Sequence, residues 1–520
     1  MSFWLLLGDY AAWTSMAGIP RIASAPNWPL RTFWIVVWVA MFGIAVYQLF
    51  LIFTKFFSFP VTVTTLLQMK PQPFPVVTIC NSNPFPSGNV GPGIFPRLTK
   101  LIQDHQSMLS SNKYEVSGDD SFGLNKVKTY FKKIERVQEA QVLVVNAMTK
   151  KIERGRSAYK YENVVKECSY NDVPCGQTDF KELFDPTYAN CFMFNVNSSR
   201  KAFRSGMKSG LRLVLNADAI SKLGAVQLLP TTQTIGFRVR IAGPNVDPAM
   251  ESFGIPFGTG AHTKIGLKLT EIRRMKRPYG ICVDEDKRGT FYPDNKYSLD
   301  VCIRTCLQKR IIKNCGCAHP RYGFPVDQKT CDTDALDCLL HLRENRTFNP
   351  LKECECNPSC DELQYDTTIS QSRYPSFSQV EYLINKEKIP EFVADHTRGK
   401  TFYQKNYALL NVYFDTLNSV LLQEEPAYPI LSALIELGGQ MVLWLGMSII
   451  SAIEMFGLII LTFMYLCCGR KQSVKAAEEE LNQDKRIKDV HSLKVEIDQH
   501  DQAYKKIKDI GELKWANKPA

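Results

Sequence analysis

The sequence predicts a membrane protein in which two transmembrane helices bracket a large, disulfide-rich α+β extracellular domain. Three observations lead there. Two long apolar segments lie towards the ends of the 520-residue chain; fourteen of its sixteen cysteines, Cys80 to Cys360, lie between those segments and none precedes the first; and the intervening stretch carries both strand-like and helix-like patterning.

The first apolar segment, 33–53, sits inside the charge-free run Thr32 to Thr54, and about twenty helical residues suffice to cross a bilayer core. A cleaved signal peptide is the competing reading, but Phe3 to Leu7 is short for an apolar signal core and no basic residue precedes it. The second segment begins near Pro429, and from Leu437 to Gly469 only Glu454 carries a charge. At about 1.5 Å per residue it exceeds the roughly 30 Å hydrocarbon thickness, so it must tilt, break or protrude. The expected layout is a cytosolic N-terminus over 1–32, spans at 33–53 and 429–466, an extracellular domain over 54–428 and a cytosolic tail over 467–520.

Cysteine chemistry sets the orientation, because an even set of cysteines in one loop implies disulfides, which persist outside the cytosol. Two sequons in that loop, at Asn197 and Asn345, agree as N-glycosylation sites. Arg21 and Arg31 before the first span, and Arg470 and Lys471 after the second, fit basic residues retained on the cytoplasmic side of a multi-pass plasma-membrane protein with both termini inside. The net charge of +11 comes without an arginine-rich tract, so it fits solvated surface and inner-leaflet contacts with the lipid bilayer; nucleic acid is excluded as a partner.

Leu211, Leu213 and Leu215 alternate, as do Phe237, Val239 and Ile241, then Ile265, Leu267 and Leu269, and Ala408 to Phe414 is an apolar run; these read as strands of a mixed or antiparallel sheet. Arg97 to Gln106 and Asn125 to Ile152 read as surface helices. Cys302 and Cys306 face one side of a predicted helix, followed by Cys315-Gly316-Cys317, Cys331, Cys338 and the cluster Cys354, Cys356, Cys360. Ladder-like disulfides are expected there; zinc is the rival reading, weakened by the lack of repeated Cys-x-x-Cys pairs, so no metal and no cofactor are expected.

Three ordered motifs carry a family resemblance over nearly the whole chain. Phe74-Pro75-Val76-Val77-Thr78-Ile79-Cys80-Asn81 follows the first span; Tyr297-Ser298 leads into the cysteine array; and Leu437-Gly438-Gly439-Gln440 is followed by Gly446-Met447-Ser448 and Glu454. Together they resemble the degenerin/epithelial sodium channel family, which also contains the acid-sensing channels. The resemblance implies a homotrimer with a palm, ball, finger, thumb and knuckle ectodomain, a pore lined by the second helix, Na+ as the permeant ion, amiloride as blocker and no enzymatic activity. It also implies the bridges Cys80–Cys191, Cys168–Cys175, Cys282–Cys360, Cys302–Cys356, Cys306–Cys354, Cys315–Cys338 and Cys317–Cys331; spacing alone leaves the connectivity open. Gly446, Met447 and Ser448 fall at its selectivity filter and Ile435 at its degenerin position.

Physical reasoning stands beside the resemblance. Glu436 and Glu454 are eighteen residues apart, so on one straight helix they share a face about 27 Å apart. Intramembrane acids face partners or water, and a ring of three carboxylates attracts cations. The plainer reading is that Glu436 marks the outer interface and Glu454 pairs with a basic tail residue. Gly446 and Ser448 lack bulk, which suits either ion coordination by backbone carbonyls and a hydroxyl or helix packing alone. Gly438 and Gly439 supply backbone freedom for a hinge or gate. Gly18, in Gly18-Ile19-Pro20-Arg21-Ile22, resembles the glycine of the family's re-entrant N-terminal stretch, while Ala17 stands where a histidine is expected.

The stretch Phe253 to Gly258 with Lys264 to Lys268 resembles the invertebrate FMRFamide-gated channels, which implies an extracellular peptide agonist. An amidated peptide bearing arginine and phenylalanine needs acidic and aromatic partners, supplied in the finger by Asp119, Asp120, Phe122, Tyr130 and Phe131; a solvated loop beside an amphipathic helix is the plainer reading of them. By resemblance Tyr279 lies at the wrist, where contact with Phe56, Phe57 or Phe59 transmits ectodomain motion. The histidines His105, His262, His319, His341 and His396 read as ordinary surface residues. A proton-gated channel, a constitutive epithelial-type channel and a non-conducting cell-surface receptor are the alternatives. Cys467 and Cys468 are palmitoylation candidates or plain thiols, and Val474 to Ile510 reads as an amphipathic helix or a solvated tail.

Overall fold

A computed structural model describes residues 8, 10–12, 14–147, 155–284, 286, 291–325, 327–344 and 348–468. The chain divides into two compact units, one formed by Met1–Pro60 with Ala427–Ala520 and the other by Val61–Pro426.

The first unit is helical. The short helix Ile19–Ala23 precedes Trp28–Phe57, a 30-residue helix with Pro29 in its first turn, where no backbone donor is lost, and charges only at Arg31 and Lys55 near its ends. It is the one described helix long and apolar enough to cross a membrane unaided. The second apolar segment is two helices, Ile430–Leu445 and Ile449–Cys468, meeting at a bend of 80°. The 16-residue first half reaches only about 24 Å, short of a bilayer core, and the bent pair is long and apolar enough when its halves are taken together.

The second unit is built on strands β1 (Val61–Met69), β2 (Gln72–Pro73), β3 (Val76–Asn81), β4 (Val165–Tyr170), β5 (Val173–Pro174), β6 (Phe180–Asp185), β7 (Ala189–Phe194), β8 (Lys201–Ala202), β9 (Leu211–Asn216), β10 (Gly236–Ala242), β11 (Ile255–Gly258), β12 (Ala261–Arg273), β13 (Asp361–Arg373), β14 (Tyr407–Phe414) and β15 (Asn418–Pro426). The larger sheet runs β1-β15-β12-β14-β9-β4-β5 with β13 also paired to β12; the second runs β11-β10-β3-β7-β6. β12 pairs in parallel with β14 and β15 and antiparallel with β13, so the larger sheet is mixed. All six residues of β3 are buried, as a central strand covered on both faces requires. The two sheets share one core, where Val77, Ile79, Phe194 and Phe237 of the smaller sheet pack with Leu213, Ile265, Leu267 and Val412 of the larger.

A second core lies between the helices Pro96–Ser110, Tyr130–Asn146 and Leu336–Glu344, through Leu98, Leu101, Val137, Leu143 and Leu336. The helix Leu299–Cys315 starts where the Ser298 hydroxyl accepts the Val301 N–H, which satisfies one orphan donor of its first turn. Seven disulfides close between Cys80 and Cys191, Cys168 and Cys175, Cys282 and Cys360, Cys302 and Cys356, Cys306 and Cys354, Cys315 and Cys338, and Cys317 and Cys331. These are the pairs the resemblance implies. With all fourteen sulfurs bridged, none is left as a zinc ligand in this unit.

Several sequence expectations change. The helix expected over 125–152 is found as Tyr130–Asn146, because residues 124–126 form a 3₁₀ turn and Thr129 is extended; 148–152 lie outside the described residues. His105 and His319 are not surface residues: each is only 4% exposed. Asn197 is exposed, while Asn345, the side chains of Cys467 and Cys468, and the tail from 469 lie outside the described residues.

Candidate pore segment

The first half-helix starts at Pro429, and Glu436 sits less than two turns inside it. The Tyr428 hydroxyl donates to the Glu436 carboxylate, Lys55 Nζ stands 3.6 Å from it, and the same ammonium lies 4.1 Å above the Tyr428 ring. Glu436 is therefore partnered within its own unit and half exposed. Ile435 beside it is 67% exposed. Gly438 and Gly439 lie within the continuous helix, with open space where side chains would project, and the bend comes further along.

That bend is at Gly446, whose φ of 59° is left-handed and costs an L-residue about 1 kcal/mol or more. Its N–H bonds Val442 O at 3.0 Å, and the Met447 N–H bonds Met441 O at 3.3 Å, which closes the first half-helix. A Cβ at 446 would stand 2.5 Å from the Ala17 methyl, so both conformation and space demand glycine there. Ser448 opens the second half-helix: its Oγ accepts the Ser451 N–H at 3.2 Å while Ser451 Oγ accepts the Ser448 N–H at 3.1 Å, a reciprocal cap. Of the three filter candidates, the Met447 side chain is buried with Met16, Ala45 and Leu445, whereas Ser448 remains exposed.

The N-terminal stretch threads against this bend. The Ala17 N–H bonds Leu445 O at 3.2 Å, and Gly18, at φ 92°, turns the chain beside the Trp38 ring, 3.0 Å from where a Cβ would stand. Thr14 Oγ1, the Ser15 N–H and Ser15 Oγ donate to Glu454 Oε2 at 3.2, 3.0 and 3.1 Å. Ser15 Oγ also lies 2.7 Å from Ser451 Oγ. Glu436 and Glu454 thus do not form one acidic stripe on a straight helix: the 80° bend separates their halves and each has its own partners. Thr14 and Ser15 carried no sequence signal, because contacts 440 and 439 residues apart leave no local pattern.

In the cysteine-rich unit the five candidate peptide contacts are not gathered into one cavity. Asp120 accepts the N–H groups of Leu124 and Asn125 at 2.7 Å each, and Phe122 is in the helical core. Asp119, which takes the Ser121 hydroxyl at 2.7 Å, is exposed, as are Tyr130 and Phe131, their rings 6.1 Å apart. Tyr279 is half-buried in the turn after β12, its N–H bonded to Lys276 O at 3.1 Å.

A cavity of about 620 Å³ lies among the helices 130–146, 299–315 and 336–344 and the loops after β6 and β10. Glu139 stands at its wall with 4% exposure. His319 Nδ1 accepts the Arg321 N–H at 3.1 Å, so a neutral His319 carries its proton on Nε2 and donates to Glu139; Arg321 Nη1 lies 2.5 Å from the same carboxylate and Arg321 Nε 2.5 Å from Glu251. Burial opposes ionisation, but the His319 hydrogen bond and the Arg321 charge outweigh it and hold Glu139 at about 2. On Asp185 across the cavity burial prevails: it overrides two backbone N–H bonds, with Glu251 and Asp247 adding repulsion, and raises the carboxyl to about 6.

A model of the amiloride-sensitive sodium channel family matches residues 10–458. The chain is 32% identical over 517 residues to degenerin-like protein asic-2 of Caenorhabditis elegans, an alignment covering 94% of this chain and 92% of that one. It is 31% identical over 362 residues to degenerin-like protein unc-105 of the same organism, with 66% and 39% covered, and 30% identical over 322 residues to epithelial sodium channel subunit beta of Canis lupus familiaris, with 59% and 49% covered. The chain therefore spans less than half the length of these last two relatives. The matched stretch runs from the N-terminal segment seated against Gly446, through the disulfide-braced sheets, to the helix carrying Glu454, and by that extent the chain belongs to the amiloride-sensitive sodium channel family, whose members are ion channels rather than enzymes.

Proposed function

We propose that the chain forms a homotrimeric, sodium-selective, amiloride-blocked channel of the plasma membrane, both termini cytosolic, opened by an extracellular RFamide-type peptide. The observation that carries the pore is the break at Gly446–Ser448 between two apolar half-helices bearing Glu436 and Glu454. A broken helix frees carbonyls and a serine hydroxyl at membrane depth, which is tolerated where backbone lines a water-filled path and which replaces part of a small ion's hydration shell. Apolar side chains exposed on both half-helices, among them Leu434, Leu443, Ile453 and Phe456, suit burial against lipid and neighbouring copies. For peptide gating, the support is the Phe253–Gly258 resemblance together with the accessible Asp119, Tyr130 and Phe131. Proton gating is the second reading, favoured by Asp185 near 6 beside the cavity.

Whole-cell recording from cells expressing this chain alone, during a screen of amidated peptides and pH steps, decides between them. The expected result is an inward sodium current evoked by an arginine–phenylalanine amide and blocked by amiloride. Silence to every peptide with a large response near pH 6 would replace the first reading by the second, and absence of any current would remove the homotrimeric channel.

A further inference from the structure

Glu454 is a poor candidate for a lone, freely rotating pore carboxylate. Three donors from a segment more than four hundred residues away in sequence converge on one of its two oxygens, Oε2. Among the described residues, Oε1 receives no such bond. The donors are also linked to the filter: Ser448 Oγ lies 3.2 Å from Ser451 Oγ, Ser451 Oγ 2.7 Å from Ser15 Oγ, and Ser15 Oγ donates to Glu454 at 3.1 Å. Donor and acceptor roles fix the direction of this chain. Ser15 gives its proton to the carboxylate, so Ser451 gives its proton to Ser15, while Ser451 Oγ takes the Ser448 N–H at 3.1 Å. Each hydroxyl dipole then points towards the negative charge, and hydrogen bonds in series polarise one another. Ser451 is fully buried, which shields the middle of the chain from water. The backbone of the segment is pinned where it can deliver these donors: the Ala17 N–H holds Leu445 O, and Met16 packs with Met447 and Ala45.

We infer that Ser15, assisted by Thr14, is a positioning residue for ion selectivity: it locks Glu454 through Oε2, leaves Oε1 to face the permeant cation, and couples that carboxylate through Ser451 to Ser448. The inference rests on the pore reading above. It also gives a role to residues just before Ala17, whose methyl would stand 2.5 Å from a Cβ at Gly446.

The test uses the full chain. Ser15→Ala combined with Thr14→Val removes two of the three donors; hydrogen bonds to a charged group are strong enough that the sodium-over-potassium permeability ratio, read from reversal potential, should fall about three- to tenfold. Ser15→Thr, which keeps the hydroxyl, should restore it. In a Glu454→Gln background the same Ser15 and Thr14 changes should have little further effect, because the partner they position is gone. An unchanged ratio, or effects that add in full with Glu454→Gln, would overturn the inference, since a merely structural role lowers current without coupling the two sites. A second readout needs no current: Ser15→Cys with Ser451→Cys, in a chain whose Cys467 and Cys468 are serine, should form a disulfide under mild oxidation and resist thiol alkylation. A chain that conducts but stays fully alkylated refutes the clamp and leaves the pore reading standing; a chain that cross-links but never conducts removes the selectivity role together with the pore reading, and leaves only the contact.

Discussion

Replacing Glu139 by glutamine tests the buried network of the cysteine-rich unit. The carboxyl sits at about 2 against an ordinary 4.5, a difference that favours the folded state by about 3 kcal/mol at neutral pH. Because the folded value is depressed, this stabilisation is complete above about 4.5 and is lost as pH falls towards 2. The groups facing Glu139 are Arg321 at 2.5 Å, Arg343 at 3.8 Å and His319, all contributed by segments that pack on the 130–146 helix. Glutamine keeps the volume but leaves Arg321 paired only to Glu251 within the cavity wall. For a unit of roughly 370 residues, unfolding entropy near 2 cal/mol/K per residue converts about 3 kcal/mol into a fall in melting temperature of about 4 °C. The assay is thermal unfolding of the purified full chain in detergent, followed by size-exclusion fluorescence at pH 7 and pH 3. The deficit of Glu139→Gln should be full at pH 7 and less than half as large at pH 3. An equal deficit at both pH values would refute the electrostatic account and leave only a packing defect.

Asp185→Asn should behave with the opposite sign. Its carboxyl is raised from 3.8 to about 6, so the wild-type unit is most stable with the group protonated, an advantage complete below about 3.8 and lost as pH rises through about 6; the variant should melt about 2–4 °C higher than wild type at pH 7.5, with that gap nearly closed at pH 3.5. A constant offset at both pH values would contradict this. Gly446→Ala places a methyl 2.5 Å from the Ala17 Cβ on a backbone at φ 59°, where carbon contacts need about 3.5–4 Å. Current density should drop by about tenfold or more, and combining it with Ala17→Gly should recover part of it; wild-type current in Gly446→Ala alone would show that the close approach is absent in the working channel.

The strands β9, β10, β12 and β14 were legible because each carries buried alternate residues or an apolar run. β1 and β13 were not: their residues are almost wholly exposed on the single chain, and their pairing partners lie hundreds and about a hundred residues away, so neither composition nor period marks them. Cys302 and Cys306 were expected on one side of a helix, and both lie on Leu299–Cys315. The two buried histidines were not, since a histidine's burial depends on partners such as Glu139 that only the fold supplies. The seven bridges followed from family resemblance, because many pairings of fourteen cysteines satisfy the spacing.

The sequence by itself determined where apolar length permits a span and that fourteen cysteines lie between the two apolar segments, since hydrophobic length and cysteine position are local properties, whereas the reading of Gly446, Ser448 and Glu454 as a cation site came from family resemblance. The tertiary structure alone decided that the second apolar segment breaks by 80° at Gly446, that Glu436 and Glu454 keep separate company, and that Thr14 and Ser15 reach Glu454. Those outcomes depend on a left-handed glycine meeting the Ala17 methyl and on hydrogen bonds closed across more than four hundred residues, and free energy of that kind exists only once distant pieces of chain are side by side.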